Sequence, residues 1–326
     1  MIRNVIPGLR PVTWDDINRQ NEFVNSVVSA LNALGENLDY DYVCAVSGCA
    51  FRTSFSVKGF NHGNYHVIHT PDIIGHTFKM LGYGAVLHTG GGFETDRRLV
   101  IDSVDMGVPV VTVEGVVNCS DACVIAGYDE SGRVLLGYNP FMYVKDDHDE
   151  PHDETGYFRK SGWHADSAAN GKDFRIIIIG EKHTKPNAKT IFNETMALVT
   201  RLIGEDSLYR GQHNGLSAHR AFAGALTDYA WDDNFEPYLN VMCNYKQYLD
   251  RRYAAKFFRE NNRNDLAGAY GEITALVNKL AQIIPQDFSA ADKFSDKAGL
   301  KPYCDVLNKI CDLEEQALKM ILSNGD

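Results

Sequence analysis

The hydrophobic period changes once along the chain, near Lys182 to Pro186, and that change limits what the chain can fold into. Before it, helix-like and strand-like runs alternate among many glycines. After it, apolar residues recur at three-or-four spacing almost without interruption. The pattern predicts two domains, residues 1–183 of α+β type and residues 184–326 all-α. A chain of 326 residues fits that division at roughly 150 residues per domain.

In the first part, Phe23, Val27, Ala30, Leu31 and Leu34 mark one face of a helix over Glu22 to Leu34 that stops at Gly35. Further helices are predicted at Asp72 to Leu81, closed by Gly82, and at Glu94 to Met106, closed by Gly107. Short β-branched runs follow at Val108 to Val117, Ala122 to Gly127, Val134 to Tyr138 and Phe174 to Ile179, with Asp129-Glu130-Ser131-Gly132 as a hairpin turn. Beyond Pro186, helices are expected at about 188–203, 215–229, 237–261, 266–284 and 302–322. In the third of these, Tyr238, Met242, Tyr245, Leu249, Tyr253 and Phe257 form a stripe that reads as helix-on-helix core.

Charge and cysteine content narrow the function. A net charge of −11 repels phosphate backbones, which argues against nucleic-acid partners. No apolar run reaches the roughly 20 residues of a membrane span. Met1 to Pro7 lacks the layout of a secretory signal, so a cytoplasmic protein is expected. Seven cysteines spread through the chain are read as reduced thiols.

Several constellations have the residue types of a site. His62, His66 and His69 have no fourth ligand and read as a polar loop. Asp146 to Glu154 gathers six carboxylates and two imidazoles, but lacks the glycine turn of a calcium loop and reads as a solvated acidic segment. His88-Thr89-Gly90-Gly91-Gly92 has the composition of a backbone-donor loop without a nucleophile elbow, and reads as the entry to a helix. Cys123 reads as a buried strand thiol, and Cys304 with Cys311 as helix core. No phosphate-cradling loop, dinucleotide fingerprint or Cys-x-x-Cys pair is present, and no cofactor is expected.

The strand-and-turn segment Ala122 to Asp129, followed by Gly137-Tyr138-Asn139-Pro140, resembles the second half of a papain-like domain of the C39-like clan. Gln20 stands six residues before Ser26 at the start of a long helix, the spacing of the oxyanion glutamine and the nucleophile in that clan. Val27 to Glu36, Asp41-Tyr42-Val43, Val46 to Phe51 and Gly127-Tyr128-Asp129 narrow the resemblance to the N-terminal domain of butirosin-biosynthesis H-type proteins. It extends more weakly to Gly215 to His219 and Arg251 to Ala255. The resemblance implies a papain-like fold, an N-terminal helix on an antiparallel sheet, with an all-α domain covering the cleft. It also implies acyl transfer or hydrolysis at a thioester or amide. By position, Ser26 takes the place of the nucleophile, Gln20 of the oxyanion donor, Asp121 of the base and Asn139 of the orienter. The implied partner is a small-molecule amine, a peptide or an acyl carrier.

Two positions depart from the family, Ser26 standing for Cys and Asp121 for His. A thiol at a helix N-terminus can ionise from about pH 3.5 to 7.5, whereas a hydroxyl needs a neighbouring base that can return the proton. A carboxylate, with a pKa near about 3.9, is a weak base for that purpose. Three readings follow: an enzyme in which His62, His66, His69 or His88 replaces the base, a non-catalytic binder that keeps the groove, and an unrelated hydrolase using Cys119, Cys123 or a metal at the acidic segment.

Overall fold

The computed structural model describes residues 2–12, 19–60, 62–114, 116, 122–140, 155–164, 174–204, 208–228, 235–285 and 297–323. The fold is mixed α+β with an antiparallel sheet. It divides into two units, Met1–Val43 with Ile74–Pro186 and Cys44–Ile73 with Asn187–Asp326.

The first unit is built on a sheet of strands β3 (Tyr83–Thr89), β8 (Arg175–Lys182), β4 (Val110–Glu114), β5 (Cys123–Asp129), β6 (Val134–Tyr138) and β7 (Phe158–Ser161), in that order, with β1 (Asn4–Val5) paired to β5. Residues opposite one another on paired strands share a face. The pairs Thr112↔Cys123, Thr112↔Ile176 and Val110↔Ile125 therefore define one face. That face carries helix α4 (Phe93–Asp105), whose Val100 and Val104 join Cys123, Ile125, Ile176, Trp163 and Phe174 in a buried cluster. The alternate residues Val111, Val124, Ala126 and Ile177 are equally buried. Helix α1 (Glu22–Ala33) packs on β4 and β5 and covers this second face. Its N-terminus is capped by Asn21, whose side chain accepts from Val24 N at 3.2 Å, and it ends before Gly35, whose φ of 90° suits glycine.

The two glycine motifs of the β5–β6 hairpin are explained by close approach. A Cβ on Gly127 would lie 2.6 Å from Asn4 O on β1, and one on Gly137 would lie 2.0 Å from Val124 O. The turn follows the predicted residues: Asp129 Oδ1 accepts from Glu130 N at 2.7 Å, and Glu130 and Ser131 both take positive φ.

The second unit departs from the all-helical expectation and from the boundary at 183. Helices α2 (Tyr40–Val46) and α3 (Ile73–Leu81) stand where the chain passes between the units. Segment 44–73 supplies strand β2 (Ser54–Ser56), which pairs with β10 (Gln212–Asn214), itself paired with β9 (Leu208–Tyr209). The helices are α5 (Ala188–Gly204), α6 (Gly215–Asp228), α7 (Phe235–Leu249), α8 (Arg251–Glu260), α9 (Asn264–Ile283) and α10 (Lys297–Ser323). The run expected as one helix over 237–261 is thus two, α8 starting directly after Asp250. Tyr238, Tyr245, Leu249, Tyr253 and Phe257 are buried as expected.

Segment 44–73 belongs to this unit because Arg251 is satisfied by it. The fully buried guanidinium donates to Arg52 O at 2.7 Å and Thr53 Oγ1 at 2.6 Å, and pairs with Glu314 Oε1 at 2.8 Å. Glu314 Oε2 takes His219 Nε2 at 2.7 Å, and Tyr248 OH lies 3.1 Å from His219 Nδ1. Burial pushes the Glu314 carboxyl up, but the Arg251 and His219 side chains outweigh it and hold the pKa at about 2. Buried charges of this kind persist only when paired and fully hydrogen-bonded.

Candidate functional site

Of the residues implied by the resemblance, Gln20, Ser26 and Asn139 belong to the first unit. Gln20 stands half-buried in the segment that leads into α1. That segment is tied to the helix by Asn25 Nδ2 donating to Arg19 O at 2.9 Å, and to Tyr40, whose hydroxyl accepts from Asn21 N at 3.1 Å. Ser26 lies one turn into α1 and is 0% exposed. Its Oγ is buried and has no hydrogen-bond partner among the described residues. Asn139 is buried directly after β6, whose last residue Tyr138 pairs with Val124, so it sits beside the beginning of β5. Asp121 and Cys119 lie outside the described residues, as does the acidic segment 146–154.

Cys123 is committed to structure. Its Sγ lies 3.0 Å from Thr112 Oγ1, its backbone N donates to the same hydroxyl at 3.1 Å, and it is buried under α4. Cys311 is also buried, and burial pushes its thiol up to about 11. His66, between the two short 3₁₀ turns of segment 44–73, and His69, in the second of them, stack at 6.4 Å between centroids, in the other unit from Ser26; the side chain of His62 lies outside the described residues.

His88 belongs to a different constellation. It pairs with Ile176, which places it on the α4 face of the sheet, whereas Ser26 belongs to the helix on the opposite face. The sheet separates the two, so His88 is not the missing base. Its Nε2 instead lies 2.7 Å from Asp96 Oδ1, and His164 Nε2 lies 3.0 Å from Asp96 Oδ2. Asp96 is wholly buried in the first turns of α4 and also accepts from Gly91 N at 3.0 Å. The helix entry expected at Gly90 to Gly92 is therefore present, and it carries more than a turn. A Cβ on Gly91 would stand 2.8 Å from Thr95 Cγ2, 2.9 Å from His88 Nε2 and 3.0 Å from Asp96 Oδ1, so a larger residue there would crowd the pair. His164 is held against Trp163 and Phe93, at 5.5 and 5.8 Å between ring centroids.

A carboxylate only accepts, so both rings donate to it from Nε2. Each imidazole is a quarter exposed. One buried carboxylate thus orients two partly exposed imidazoles, the relation by which an aspartate fixes the tautomer of a catalytic histidine. The arrangement is suited to taking up or delivering a proton. The sequence held His88 and Asp96 eight residues apart across a glycine turn; His164, 68 residues beyond Asp96, had no local signal.

No family model matches the chain, and no curated protein is similar to it in sequence. Among the described residues, no group of three or more His, Cys, Asp or Glu is arranged to hold a metal ion. No helix among them is long and apolar enough to cross a membrane.

Proposed function

We propose that this chain is a non-catalytic relative of the papain-like, butirosin-biosynthesis H-type proteins, which holds a peptide, an amine or an acyl-carrier partner without turning it over. The partner class comes from the resemblance. The loss of turnover is supported by one observation: the Ser26 hydroxyl is sealed from solvent and has no base beside it among the described residues. A serine acts as a nucleophile only with a base in hydrogen-bond reach, about 2.6–3.2 Å.

The test is incubation with activated acyl thioesters followed by intact-mass measurement. No acyl adduct is expected on the wild-type chain. An adduct that disappears in Ser26→Ala would overturn the reading and restore the enzyme. As a check on access, Ser26→Cys is expected to resist iodoacetamide in the folded protein, with position 26 read by peptide mapping, and to react after denaturation.

A further inference from the structure

We draw no further inference here: the strongest candidate, the pair of partly exposed imidazoles of His88 and His164 held by the buried Asp96 at the start of α4, belongs to the site already described, and nothing in the structure shows what would bind there.

Discussion

Asp96 has no exposed surface and receives three N–H donors, from Gly91, His88 and His164. Removing the carboxylate leaves the Gly91 amide without its acceptor and releases both rings. Asp96→Ala is therefore expected to lower stability by about 1–3 kcal/mol, the cost of stranding buried donors. Asp96→Asn, which keeps one acceptor oxygen, should lose less. Urea unfolding of the two variants checks the order, and equal losses would show that the hydrogen bonds contribute little. Ser26 presents the opposite case, a buried hydroxyl with no partner among the described residues. Its place on the buried face of α1 was legible from the spacing of Phe23, Val27, Ala30 and Leu31. Its isolation was not, because which groups lie across from a helix face is decided by strands far along the chain.

Elements with a strong local pattern were legible almost to the residue. The strand at Val134–Tyr138 matches its sequence bounds, α1 and α5 differ from theirs by one residue at one end, and α4 by one residue at each end. β3 was missed because Gly84 and Ala85 are poor strand formers and it pairs on one side only. The strands of two or three residues, β2, β9 and β10, are too short for an alternation to show. The break at Asp250 was hidden because the aromatic stripe keeps its spacing across it. Packing makes the hairpin glycines strict in a way that composition does not. Gly137→Ala would drive its Cβ into Val124 O and within 3.0 Å of Ile125 Cα, backbone atoms of the paired strand. A loss of about 3 kcal/mol is expected, the upper end for overpacking. Gly75→Ala, in α3 with open space around it, should instead raise stability by about 0.5–1 kcal/mol. Thermal melts of the two variants should move in opposite directions.

At the scale of the whole chain, a single boundary near 183 does not describe the two units, because the second unit also draws in residues 44–73. No periodicity announces this, since the segment is recruited by hydrogen bonds from Arg251 and by the pairing of β2 with β10. The same cluster should make the second unit acid-sensitive. Glu314 titrates at about 2 in the folded protein against an ordinary value of 4.5. A carboxyl lowered on folding adds stability that is complete above its unfolded pKa and is lost as pH falls toward the folded value. The loss should run from about pH 5 down to about pH 2. It should amount to roughly 3 kcal/mol, because a tenfold change in proton affinity on folding is worth about 1.36 kcal/mol. Amide exchange in α8 and α10 should therefore accelerate over that range. Glu314→Gln should flatten the response while lowering stability at neutral pH by about 3–5 kcal/mol, because it leaves Arg251 buried without its counter-charge. Exchange in these helices that follows pH equally in wild type and Glu314→Gln would show that another group governs the acid response.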